Sequence, residues 1–190
     1  MGMPEVVESM HPRIAWGITG AGHFLEPCLN ILLELDQVDI FISNAAKEVL
    51  ANYGLLKRLE QSGRHLFWDT GFSSRPVTKL YRGYYQAAVI APVTSNTIAK
   101  MVNGISDNLV TNLFAHAGKC QIPTLILPCD IKPEMNSLTP LGESVQVHVR
   151  KVDLDNIDCL ASWTGVEVAR DPEDLKLQLR TFSHDRKYEL

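Results

Sequence analysis

Three short polar clusters carry most of the chemistry this chain can do: Thr19-Gly20-Ala21-Gly22, Ser43-Asn44 and Thr94-Ser95-Asn96-Thr97. Each follows an apolar run and leads into a segment with helical spacing. A strand that ends in glycines, hydroxyls or amides and then opens a helix offers main-chain N–H groups and the positive end of a helix dipole. Such a loop receives a phosphate, or the polar edge of a heterocycle, without adding net charge. Glycines let the backbone approach the ligand, and Thr19, Ser43 and Ser95 add hydroxyls that donate and accept. One glycine turn or one capping serine is ordinary in an α/β protein. Three polar strand ends in one sheet point to a binding site.

The pattern departs from the common nucleotide signatures. GxGxxG would need glycine at 17, 19 and 22 or at 20, 22 and 25, and Thr19 or Leu25 stands in the way. No GK[ST] follows a glycine-rich turn, and there is no GxSxG elbow, which removes P-loop and serine-hydrolase chemistry. Cys28, Cys120, Cys129 and Cys159 form no CxxC pair, and the histidines show no HxH or HxxxH spacing, so no metal site is expected. A net charge of −4 with no Lys/Arg cluster excludes a nucleic-acid surface. No apolar run approaches the roughly 20 residues of a membrane span.

The elements that must position these clusters follow from hydrophobic spacing. Arg13 to Thr19, Val38 to Ile42, Ala87 to Ala91 and Thr124 to Leu127 read as strands, the third stopping at Pro92. Leu25, Leu29, Leu32 and Leu33 mark a first helix, and Ala45 to Gln61 reads as a second that closes at Gly63. The segment 64–86, with Trp68, Phe72, Tyr81, Tyr84 and Tyr85, reads as a partly irregular excursion whose rings pack in the core or an interface or stack on a flat ligand. Asp153 to Trp163 is predicted helical and Val166 to Ala169 a strand. Asp171-Pro172-Glu173-Asp174 is a strong helix start. Alternating strands and helices with continuously apolar strands predict an α/β fold, a parallel sheet covered by helices on both faces. Ligands in such a sheet bind at the carboxyl ends of the strands. Residues 1–12 lack the basic start and apolar core of a signal peptide and are expected to be a flexible leader, with 13–190 as one domain in the cytoplasm.

The stretch APVTSNTIAKMVNGISDNLVT (91–111) resembles the flavin-site signature of the flavoprotein family that includes the FMN-dependent cysteine decarboxylases, and Pro133-Glu134-Met135-Asn136 resembles that family's P-x-M-N segment. The similarity covers roughly residues 13–140. It implies a three-layer Rossmann-like or flavodoxin-like fold, bound FMN and trimer-based homo-oligomers. On the same model Thr19, Gly20, Ala21, Gly22, Ser43, Asn44, Thr94, Ser95, Asn96 and Thr97 hold FMN and Asn136 contacts substrate. Glu134 and His23 are further candidate anchors, or surface and capping residues. Asp107 and Asn108 are expected to fix the motif loop or a subunit contact. The decarboxylases carry a histidine where this chain has Thr78, and Ser137-Leu138-Thr139-Pro140 replaces their usual flap. The opening IAWGITGAGHFL and the tail VRKVDLDNIDCL…GVEVARDPEDL look most like archaeoflavoproteins and dihydromethanopterin reductases. The resemblance therefore implies an FMN enzyme reducing dihydromethanopterin, a pterin, with a ferredoxin-like or reduced-flavin donor. The alternative is an electron-transfer flavoprotein of the archaeoflavoprotein kind.

Overall fold

The computed structural model describes residues 13–70 and 74–184. The flexible leader expected at 1–12 and Phe72 lie outside them. The chain order is β1 (Arg13–Ile18), α1 (Leu25–Glu34), β2 (Val38–Ile42), α2 (Asn44–Asn52), α3 (Leu56–Glu60), β3 (His65–Trp68), α4 (Ser74–Val77), a 3-10 turn (Thr78–Arg82), β4 (Tyr85–Val93), α5 (Ser95–Val102) and α6 (Leu109–Lys119). It continues with β5 (Thr124–Pro128), β6 (Glu134–Leu138), β7 (Ser144–His148), α7 (Lys151–Ala161), β8 (Val166–Val168) and α8 (Pro172–His184).

Six strands form one parallel sheet in the order β3-β2-β1-β4-β5-β8, and β6 pairs antiparallel with β7 as a separate hairpin. Side chains alternate between the two faces of each strand. Ile14, Trp16, Ile18, Ile40, Ile42, Val89 and Leu125 meet α1, α2 and α8 on one face. Ala15, Phe41, Ile90 and Ile126 meet α5, α6 and the 3-10 turn on the other. Burial on both faces explains why β2 and β5 are buried at every residue. Trp16 and Phe41 are fully buried, and each such ring contributes about 1.5–3 kcal/mol of transfer free energy. This is the parallel α/β sheet that the strand spacing predicts, in the three-layer Rossmann-like form that the family resemblance implies.

Several local expectations are revised. The strand expected at Ala87 to Ala91 does not stop at Pro92; β4 runs on to Val93 through a cis Ala91–Pro92 bond. Proline has no N–H to donate, and the ladder to β5 breaks between Ile90 and Val93. The Ala91 carbonyl accepts instead from the buried Trp16 indole at 2.7 Å. The single helix read over 45–61 is two, α2 and α3, because Gly54 adopts a left-handed φ of 71° and turns the chain. The segment 64–86 contains an edge strand, β3. Residues 134–148 form the hairpin of β6 and β7, which no apolar run marks in the sequence, and the P-x-M-N segment lies at its start. The Val38–Ile42 strand is also not purely apolar. Asp39 is fully buried there, held by Arg13 at 2.6 and 3.1 Å and by the Tyr85 hydroxyl at 2.7 Å.

Candidate functional site

The chain builds the sheet outward from β1 in both directions, β2 and β3 to one side, then β4, β5 and β8 to the other. The reversal leaves a crevice at the carboxyl ends of β1 and β4. Thr19 ties those two ends together. Its hydroxyl donates to the Pro92 carbonyl at 3.1 Å and accepts from the Thr94 N–H at 2.9 Å, and the residue is 2% exposed. Its side chain is thus engaged within the protein and fixes where α5 begins. Thr94 then caps α5. Its hydroxyl accepts from the Thr97 N–H at 3.2 Å and pairs with the Thr97 hydroxyl at 2.9 Å.

The turn after β1 is shaped by what it must pass. A Cβ on Gly20 would stand 2.8 Å from the Cβ of Ala45, and one on Gly22 would stand 2.7 Å from Cζ of Tyr53. Tyr53 reaches over this turn, and its hydroxyl donates to the Leu138 carbonyl at 2.7 Å. The phenol thereby holds the β6–β7 hairpin above the crevice.

The result is a cleft of about 340 Å³. Gly20, Ala21, Gly22 and His23 form one wall, and Thr94, Ser95 and Asn96 form another. Cys129 and Asp130, just past β5, form the floor, and Met135, Ser137 and Val147 of the hairpin form the roof. The strand alternation of β6 turns Met135 and Ser137 inward and leaves Glu134, Asn136 and Leu138 exposed on the opposite face. Asn136 and Glu134 therefore do not line this chain's own cleft. Ser43 and Asn44 are not among the residues that line it, although Ala45 beside them abuts the Gly20 turn. Ser43 is an N-cap whose hydroxyl accepts from the Ala46 N–H at 3.1 Å, and Asn44 is exposed. Thr97 is buried behind the wall as part of the cap. Asp107 and Asn108 fix the motif loop. Asn108 caps α6 through the N–H groups of Val110 and Thr111, both at 3.0 Å, and Asp107 pairs with Lys100. Trp68, Tyr81, Tyr84 and Tyr85 lie outside the cleft lining.

The lining is small and nearly neutral. Among the described residues, the cleft is lined by no lysine or arginine. Asp130 accepts from the Ser95 hydroxyl and from the Cys129 thiol, the latter at 3.2 Å. Burial, reinforced by the Asp130 charge, pushes the Cys129 thiol up, so it stays protonated. Burial lowers His23, and the Asp130 carboxylate opposes that shift. The Nε2 of His23 is buried and meets no hydrogen-bond partner among the described residues. An imidazole nitrogen left without a partner at the wall of a cleft suits a polar ligand that completes it. Spacing alone overlooked Asp130 and the hairpin roof. Asp130 follows a strand end as the three polar clusters do, and Met135/Ser137 against Val145/Val147 is a period-two pattern around a Thr139–Gly142 turn.

A second cavity of about 460 Å³ lies near the amino-terminal ends of β5 and β8, around Met101, Phe114 and Trp163. It is more apolar and has no ionisable group in its lining. A charged nucleotide needs the polar cleft instead.

Comparison with known proteins agrees with this fold. The sequence profile of the Flavoprotein family matches residues 4–185. The chain is 36% identical over 172 residues to an uncharacterized protein of Methanocaldococcus jannaschii, covering 86% of this chain and 92% of that one. It is 40% identical over 141 residues to the dihydromethanopterin reductase (acceptor) of Methanosarcina mazei, covering 67% of this chain and 59% of that enzyme. The match to the M. jannaschii enzyme of the same name covers 54% of its length, so the chain spans little more than half of either reductase. Burkholderia xenovorans DmrB in complex with FMN, described as a cubic protein cage for redox transfer, superposes with a TM-score of 0.82 at 40% identity, over 90% of this chain and 94% of DmrB. Phenylacrylic acid decarboxylase from Aquifex aeolicus shares the fold, with a TM-score of 0.62 at 22% identity over 94% of this chain and 99% of that one.

Proposed function

The chain belongs to the Flavoprotein family, and on that premise we propose that it is an FMN-dependent oxidoreductase reducing dihydromethanopterin to tetrahydromethanopterin. The observation that carries this reading is the cleft at the β1–β4 switch point. There a glycine turn, the capped start of α5 and a partnerless His23 nitrogen converge. The residues fit a flavin nucleotide. The Gly20–Gly22 backbone and the α5 dipole would receive the phosphate, and Thr94, Ser95 and Asn96 would meet the polar edges of the ring. FMN, when bound, supplies the hydride chemistry. The protein's own part is to bind and orient, to exclude water under the hairpin, and to set His23 on the wall where the phosphate is received. The names of the M. mazei and M. jannaschii relatives support the pterin substrate.

The reading includes a homo-oligomer. Leu138 and Leu141 on the hairpin are 60% and 86% exposed, and the DmrB cage shows that a close relative assembles. Asn136 and Glu134 share that outward face, so Asn136 contacts substrate where the hairpin of one subunit closes on its neighbour. The electron donor is of the ferredoxin or reduced-flavin class.

The test is a spectrum of the purified protein, followed by anaerobic mixing of its reduced form with dihydromethanopterin. Flavin absorbance that returns as the pterin is reduced supports the reductase. A stable flavin that does not respond favours the electron-transfer reading. A protein that neither carries FMN nor takes it up refutes both.

A further inference from the structure

The cleft proposed to hold FMN contains one side chain that can become positive. Among the residues that line it, there is no lysine or arginine, and Asp130 supplies the formal charge. A phosphate monoester arrives largely as a dianion above about pH 6. The start of α5 offsets part of that charge, but a partial dipole charge is smaller than a dianion. Resting on the flavin reading above, we propose that His23 takes up a proton as the FMN phosphate enters the cleft, with Asp130 as the counter-charge that holds it.

The geometry favours His23 over every neighbour. Its ring packs against Phe24 in a tilted contact, centroids 3.8 Å apart with 49° between the planes, so it is held at the cleft wall. Its Nε2 is buried and has no hydrogen-bond partner among the described residues, so it is uncommitted and able to donate one hydrogen bond. The other groups facing this region are already committed. The Cys129 thiol donates to Asp130, and the Tyr53 hydroxyl donates to Leu138. Arg150, the cation that feels the Asp130 charge, is held by Asp153 at 2.7 and 2.8 Å. Glu26, in the first turn of α1, is exposed and adds no positive charge.

The sign follows from the surroundings. Burial holds the His23 pKa below the ordinary imidazole value, so the ring is neutral at pH 7.5 before ligand arrives. A dianion beside it reverses that balance and raises the value. Binding then tightens as pH falls through the raised value and levels off below the lower one. The change is at most about tenfold per pH unit for one proton.

The experiment is calorimetric titration of the full chain, stripped of flavin, with FMN at pH 7.5 in buffers of different ionisation enthalpy. Riboflavin, which lacks the phosphate, is the control. The expected result is uptake of about half to one proton per FMN and none with riboflavin. His23→Gln should abolish the uptake and flatten the pH dependence of the Kd read by flavin fluorescence. Asp130→Asn should reduce the uptake while tightening FMN binding at pH 8.5, because the repulsion is removed. FMN heats that are equal in all buffers, or uptake that survives in His23→Gln, would overturn the proposal and leave the flavin site standing. No binding of either FMN or riboflavin would overturn the flavin reading itself, and this proposal with it.

Discussion

Replacing Gly22 by alanine tests how the cleft is roofed. The new Cβ would stand 2.7 Å from Cζ and 3.0 Å from Cε2 of Tyr53, closer than such atoms pack. The backbone of the turn cannot yield easily. The Ala21 N–H is bonded to the Thr19 carbonyl at 2.8 Å, and Gly22 accepts from Leu25 at 3.2 Å. The phenol is the flexible partner, so it swings aside and the Leu138 carbonyl loses its donor. That bond is exposed, and its loss costs about 0.5–1.5 kcal/mol, since water takes over the carbonyl. The hairpin then opens about 2- to 12-fold more often, and FMN affinity falls by up to the same factor. Amide hydrogen exchange over residues 134–148 reads the hairpin, and flavin fluorescence reads affinity. Gly22 also borders the cleft, so Tyr53→Phe is the companion variant; it removes the bond without crowding. The double variant should cost no more than the worse single one, because both act through one contact. Exchange and affinity unchanged in Gly22→Ala, or two effects that simply add, would refute the tether.

Other changes follow from the same network. Thr19→Val removes the acceptor of the Thr94 N–H and should lower stability by about 1–3 kcal/mol in urea unfolding, with Thr19→Ser retaining most of it. Asp39 is worked on by burial, which raises its pKa, but hydrogen bonds from Tyr85 and Arg13 and the charges of Arg13 and Lys79 outweigh it, so the folded value is lowered. Its ionised form therefore contributes stability above the unfolded value of about 3.9 and loses it as pH falls through the folded one. Asp39→Asn should flatten that acid limb and cost about 1–3 kcal/mol at pH 7, by weakening the hydrogen bonds and counter-charge to Arg13 and Lys79; an unchanged urea profile from pH 3 to 7 would argue against it. Ser95→Trp should abolish FMN retention, and a yellow protein with equimolar flavin would show that the cleft is misplaced.

The sequence by itself determined the local events. Apolar runs bounded by Gly, Pro and polar clusters marked where strands end. Asn108 with Thr111 forms the capping box at α6, and Asp171 accepts from the Asp174 N–H at 2.8 Å, both as side-chain chemistry at a helix start dictates. Two of the three polar strand ends meet in one cleft, and the family signature over 91–111 lies on β4, α5 and the start of α6. Tertiary structure alone decided which strand ends meet. Ser43 and Thr94 look alike as residues before a helix, yet only Thr94 is among the residues that line the cleft. It also decided that Gly22 makes room for Tyr53, that Thr19 latches two strands, and that the pleat of β6 turns Met135 inward and Asn136 outward. Spacing encodes backbone conformation over a few residues. Contacts between distant segments depend on sheet order, register and twist, which no single segment carries.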